Sequence, residues 1–136
     1  MITQKCINEI SYKIIGCAIE VHKELGPGLL ESVYEECFIE EMRNAGLKVE
    51  SQIYIPIIYK GKKMRSKLKL DILVEDLIIV EDKAKEVVTL LDKAQTMTYM
   101  RLTDKVKGLL INFNCVNIKD QISSMVRPDF FQLPKA

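Results

Sequence analysis

The stretch Leu68-Lys69-Leu70-Asp71-Ile72-Leu73-Val74-Glu75-Asp76-Leu77-Ile78-Ile79-Val80-Glu81-Asp82-Lys83 decides the fold. Its first half alternates. Leu68, Leu70, Ile72 and Val74 fall on one parity, and Lys67, Lys69, Asp71 and Leu73 on the other, which is the period of a strand over 66–74. Its second half, residues 77–83, is a continuous apolar run that ends in charge, as a buried strand does. The few residues between them suit a hairpin. A three-residue loop, Glu75 to Leu77, sets Val74 against Ile78, Ile72 against Val80, and Asp71 against Glu81. A two-residue loop sets Asp71 against Val80 and sends the two carboxylates to opposite faces.

Opposed carboxylates repel unless a cation lies between them. An all-oxygen site with room for water suits Mg²⁺ or Mn²⁺. Lys83 shares the face of Glu81, because it lies two positions on, and its ammonium group suits charge developing on a phosphate. Asp82 points the other way, toward the face where helices are expected, and a buried Asp82 needs partners. By itself an acid-x-lysine triplet is common, and strand ends often carry solvated charge. Asp71 across the hairpin is what gives it weight.

Working outward, Ile7, Ile10, Ile14, Ile15, Ala18, Val21 and Leu25 recur at helical steps over 4–24. Gly26-Pro27-Gly28 stops that helix. A second helix is expected over 29–45, with Leu30, Val33, Cys37, Met42 and Ala45 buried and Gly46 closing it. Residues 53–59 are apolar on both parities, which predicts a strand covered on both faces, with Pro56 at an edge or bulge. Lys60-Gly61-Lys62 makes the turn into 66–74. Residues 88–103 return to helical spacing through Leu91, Ala94 and Met97, and 106–113 read as a buried strand. Residues 118–126 read as a short strand or a short helix. The order ααβββαβ predicts one α/β domain over 1–136, with helices on both faces of a mixed sheet.

Length and composition agree with that reading. The chain has 136 residues, 48% hydrophobic and 29% charged, with a net charge of +1. Such a balance excludes a disordered chain and a strongly basic nucleic-acid binder, so any nucleic-acid contact must be local. Lys60, Lys62, Lys63, Arg65, Lys67 and Lys69 supply one local excess, which reads either as a phosphate track or as a solvated hairpin face. The cysteines Cys6, Cys17, Cys37 and Cys115 form no CxxC pair, which predicts free thiols in a reducing compartment. No apolar run approaches membrane length and the start lacks a signal-peptide core, so a cytoplasmic protein is expected, with no membrane partner.

Asp71…Glu81-Asp82-Lys83 resembles the D…(D/E)-x-K core of the PD-(D/E)XK nuclease superfamily. Gly28-Leu29-Leu30-Glu31-Ser32-Val33-Tyr34 matches the motif that names the GxxExxY protein family, and Ile15 to Gly28 and Gly108 to Phe113 resemble it too. The resemblance spans roughly 10–126. It implies a restriction-endonuclease-like core and a Mg²⁺- or Mn²⁺-dependent nuclease (a phosphodiesterase acting on nucleic acid, DNA first). Asp71 and Glu81 would hold the metal, Lys83 would be catalytic, and the Asp82 carbonyl is a further ligand candidate. By resemblance Glu31 reaches the metal or its water, against a plain reading as a first-turn acid that suits the helix dipole. Gln95 and Tyr99 resemble the Q-x-x-x-Y of RecB-like members, where it flanks the active site and contacts DNA. Tyr34, Lys62, Lys63 and Arg65 join Tyr99 as candidate nucleic-acid contacts. His22 resembles a leading-helix ligand of some relatives, although a histidine near a helix C-terminus suits the dipole anyway. The position between Glu81 and Lys83 is usually apolar in such sites, and Asp82 departs from that. The alternative is a non-catalytic module that binds nucleic acid or protein on a nuclease-like fold. A domain this small is also expected to need a second copy or a partner protein to complete a substrate groove.

Overall fold

The computed structural model describes residues 1–136. Helix α1 (Gln4–Leu25) and helix α2 (Glu31–Asn44) precede strands β1 (Val49–Tyr59), β2 (Lys62–Val74) and β3 (Ile78–Lys83). Helix α3 (Leu90–Thr103) leads to β4 (Lys107–Asn112), a short 3₁₀ turn, and β5 (Ile122–Val126). The five strands form one mixed sheet in the order β1-β2-β3-β4-β5. Only β3 and β4 pair in parallel, joined by the α3 crossover. No helix is long and apolar enough to cross a membrane.

The ααβββαβ order therefore stands, with β5 added from the segment left open between strand and helix. That segment holds both, a 3₁₀ turn at Ile118–Gln121 and then the strand. Helices α1 and α2 cover one face of the sheet. Ile7, Ile14, Ala18 and Val21 of α1 pack there with Ile72, Val74, Ile78, Val80, Leu109 and Ile111. Helix α3 covers part of the other face, where Met100 packs with Leu68, Leu70, Leu73 and Ile79. Gly108 lets α3 approach β4, since a Cβ there would lie 2.6 Å from Met100 Sδ.

Three expected packings are corrected in part or whole. On α2 Met42 is buried as expected and Cys37 packs at the core margin, but the other buried members are Tyr34 and Phe38, whereas Leu30 is 74% and Val33 37% exposed. Aromatic packing sets that phase: Phe113 stacks on Tyr34 at 5.0 Å and meets Phe38 edge-on at 5.4 Å. In α3, Thr96 and Met100 are buried while Leu91 is 78% exposed, because only one narrow stripe of this helix meets the sheet. Strand β1 is not covered on both faces. Ile53, Ile55 and Ile57 pack toward α3, but Tyr54 and Ile58 face outward and are exposed. Pro56 does lie on an edge strand, beside the register shift between Pro56 and Ile58. All four cysteines are free.

Candidate functional site

The β2–β3 hairpin has the three-residue loop. Val74 pairs with Ile78, Leu73 with Ile79 and Ile72 with Val80. Glu75 and Asp76 both take left-handed backbone, with φ of 53° and 56°, which closes the turn in that length. Lys48 N–H donates to the Glu75 carboxylate, and Lys105 reaches Asp76 at 3.2 Å, so the loop is tied to its surroundings.

The pairing ends at Ile72–Val80, and the next residues are Asp71 and Glu81. Here the backbone ladder gives way to a side chain: Asp71 N–H donates to Glu81 Oε1 at 3.4 Å. The alternation of β2 also slips at this point. Leu70 and Leu73 pack toward α3, whereas Ile72 and Val74 pack toward α1 and α2. On β1 the register skips the pair Gln52–Asp71, and Gln52 has φ of 52°. A local kink in both strands therefore leaves Asp71 between the two faces. Its carboxylate meets Glu81 on one side and lies within 4.8 Å of Glu35 and Asp82 on the other.

Asp82 is 0% exposed on the α2 side, and Glu81 is 2% exposed on the α3 side. Burial pushes both carboxyls far above the ordinary carboxylate range, helped for Glu81 by Asp71 and for Asp82 by Glu35 and Asp71. Neither carboxylate oxygen of Asp82 has a hydrogen-bond partner. The partners that burial demanded are not supplied by N–H or O–H groups of the chain.

The two helices bring the rest. At the start of α2, Glu31 keeps an exposed surface, and partial burial pushes its carboxyl up while Lys83 pulls it back. Glu35, one turn later, accepts from Gln52 Nε2 at 2.7 Å. On α3, half-buried Tyr99 packs against the cluster of Leu68, Leu70, Leu73, Ile79 and Met100, and burial raises its hydroxyl, with the negative charges of Glu81 and Asp71 adding to the effect. Gln95 lies one turn before Tyr99 and is exposed, with no hydrogen bond to the acidic cluster. A capping box starts α3: Thr89 N–H donates to Asp92 at 2.8 Å and Asp92 N–H to Thr89 Oγ1 at 3.2 Å.

Lys83 is positioned by β4. It pairs with Asn112, and Phe113 N–H donates to the Lys83 carbonyl at 2.9 Å. Buried Asn112 then clamps the next turn, donating to the Lys85 carbonyl at 2.8 Å and accepting from Lys85 N–H at 3.1 Å.

The structure thus brings Asp71, Glu81, Lys83, Glu31 and Tyr99 together and leaves Gln95 at the rim. Lys62, Lys63 and Arg65 lie exposed toward the outer end of the β1–β2 hairpin. Tyr34 is corrected as a nucleic-acid contact, because it is 0% exposed. Its hydroxyl donates to the Gly26 carbonyl at 2.5 Å and accepts from Leu29 N–H at 3.1 Å, which fastens the loop between α1 and α2. Tyr34→Phe is expected to lower stability by about 1–3 kcal/mol in a thermal melt, the effect of leaving buried backbone groups unpaired. His22 donates through Nε2 to the Cys115 carbonyl at 2.7 Å and is not among the acidic cluster.

Glu35, Gln52, Asn112 and the Asp82 side chain are absent from the sequence-based site. Glu35 had a signal, lying four residues after Glu31 on the same helix face. Asn112 had a weaker one, as a polar end to an apolar strand. Gln52 had none, since a kink opposite Asp71 leaves no mark in composition.

Among known proteins, a family model described as the PD-(D/E)XK nuclease superfamily matches residues 8–125. No curated protein and no solved structure matches the chain. The matched span runs from α1 into β5 and includes every acidic residue of the cluster. The chain belongs to the PD-(D/E)XK nuclease superfamily.

Proposed function

We propose that the protein is a divalent-metal-dependent nuclease that hydrolyses phosphodiester bonds, with DNA as the first substrate to try. The observation that carries this reading is the approach of Asp71 to Glu81 where β2 and β3 part, with Lys83 beyond them on the same strand. Asp71 and Glu81 offer only carboxylate oxygens, and the two side chains meet where the strands part, which suits a hard divalent cation. Asp71 and Glu81 would hold Mg²⁺ or Mn²⁺. Such an ion, when bound, supplies Lewis-acid polarisation of the phosphate and a more acidic water.

The chain's own groups divide the remaining work. Lys83 places an ammonium where negative charge develops on the phosphate. Glu31 orients the attacking water. Tyr99 and Gln95 on α3 flank the scissile position, and the Asp82 carbonyl is a further candidate ligand. Exposed Lys62, Lys63 and Arg65 hold the phosphate backbone farther out. Neutralising these three cations is expected to weaken binding similarly for all sequences. It should reduce the slope of log affinity against log salt by about one unit for each phosphate partner removed, measured by fluorescence anisotropy.

Incubating the full chain with Mg²⁺ or Mn²⁺ and plasmid, linear and single-stranded DNA, and RNA, tests the reading. Metal-dependent cleavage that Asp71→Asn abolishes supports it, and cleavage in EDTA counts against it. The second reading, a non-catalytic binding module, draws on burial that keeps Glu81 and Asp82 protonated in the absence of a cation. It predicts nucleic-acid or protein binding that is indifferent to metal.

A further inference from the structure

Asp82 is the one buried side chain whose polar atoms find no hydrogen-bond partner. It is 0% exposed, it lies on the α2 side of β3, and both of its oxygens are orphaned. Leaving such a group unsatisfied costs free energy that a fold normally avoids. Two further carboxylates converge on it. Oxygens of Glu35, Asp71 and Asp82 all lie within 4.8 Å of one another. Glu35 is oriented rather than free, because Gln52 Nε2 donates to it at 2.7 Å. Gln52 itself takes the left-handed backbone that marks the kink opposite Asp71. Glu81 belongs to the other face of the strand, since it follows Ile79, which packs toward α3.

We infer that Glu35, Asp71 and Asp82 form a second divalent-cation position, separate from the one between Asp71 and Glu81 and joined to it through Asp71. Its ligand is Mg²⁺ or Mn²⁺. Three carboxylates without nitrogen or sulfur suit a hard ion that keeps several waters, and do not suit zinc or copper(I). Only the first position rests on the nuclease reading. The second stands on the orphaned Asp82 and its two acidic neighbours. A cation there also accounts for the unusual Asp82, since an apolar residue would bury well but hold no ion. The rival account is a proton shared between Asp82 and Glu35, with no ion at all.

Mn²⁺ counting on the full chain decides between them. Equilibrium binding gives the number of ions, and electron paramagnetic resonance reports whether two ions are close enough to couple. The wild type is expected to bind two Mn²⁺ per chain, with a spectrum broadened by coupling. Asp82→Asn and Glu35→Gln are each expected to bind one, with an uncoupled spectrum. Glu35 lies on a half-open helix surface, so Glu35→Gln keeps the test valid should the buried variant fold poorly. One Mn²⁺ in the wild type overturns the inference, and so do two in both variants, which shows that neither side chain holds an ion. These readouts need no catalysis. Two bound ions without cleavage would sink the nuclease reading alone, and cleavage with a single ion would sink the second position alone.

Discussion

Replacing Asp82 by valine raises the melting temperature of the cation-free protein, by roughly 5–10 °C at neutral pH. Relieving a buried, unpaired polar group is worth about 1–3 kcal/mol, and a domain of this size converts that into a shift of several degrees. Valine suits a central strand and loses nothing by having no partner. The pH dependence fixes the cause. The Asp82 carboxyl is held far above the ordinary range in the folded state, by burial first and by Glu35 and Asp71 next. The unfolded chain releases that proton near about pH 4, whereas the folded chain keeps it. Asp82 therefore costs the folded wild type progressively more as pH rises from about 4 through neutrality, and that cost is missing from the variant. The advantage of Asp82→Val should grow between roughly pH 5 and roughly pH 8 in calorimetry. Saturating Mn²⁺ should shrink or reverse it, because the ion stabilises the wild type by mass action. A variant that melts lower than wild type without cation, or whose advantage ignores pH, would show that Asp82 carries no such penalty.

Lys83→Ala is expected to lower single-turnover cleavage by about 10²–10³-fold, the usual loss when one preorganised group that stabilises developing charge is removed. Metal binding should survive it, since the lysine contributes no oxygen. Asp71→Asn should instead lose metal and cleavage together. The split between the two variants is the informative part. The β3 backbone at Lys83 is fixed by the pairing with Asn112 and by the bond from Phe113 N–H to its carbonyl. Truncating the side chain should therefore leave the strand and the Asp71–Glu81 approach in place. Calorimetric Mn²⁺ titration of Lys83→Ala checks this. Cleavage within a few-fold of wild type would remove Lys83 from the reaction.

The acidic centre shows how far a linear reading reaches. The hairpin was legible down to two registers, because a period of two leaves only a choice of loop length, and only one length lets Asp71 meet Glu81. The left-handed backbone at Glu75 and Asp76 made that choice, and nothing in those two residue types demanded it. The first helix was legible because its apolar residues keep step with its turns. The second was placed correctly but rotated wrongly, since Leu30 and Val33 are as apolar as Tyr34 and Phe38 on any scale that ignores Phe113. Tyr34 was misjudged for the same reason: a tyrosine that seals a loop and one that meets a nucleic acid look alike in sequence.

Local pattern alone therefore determined the order of the elements up to β4 and singled out the two acids and the lysine near the end of the hairpin, because periodicity and strand parity act between near neighbours, while β5 and the loop length stayed open. The tertiary structure decided which acids meet. Glu35 arrives from α2, Gln52 from the far edge strand, and Asp71 is left between two faces by a kink that spans β1 and β2. Contacts between distant segments depend on how helices pack over a twisted sheet, and no spacing along the chain records that.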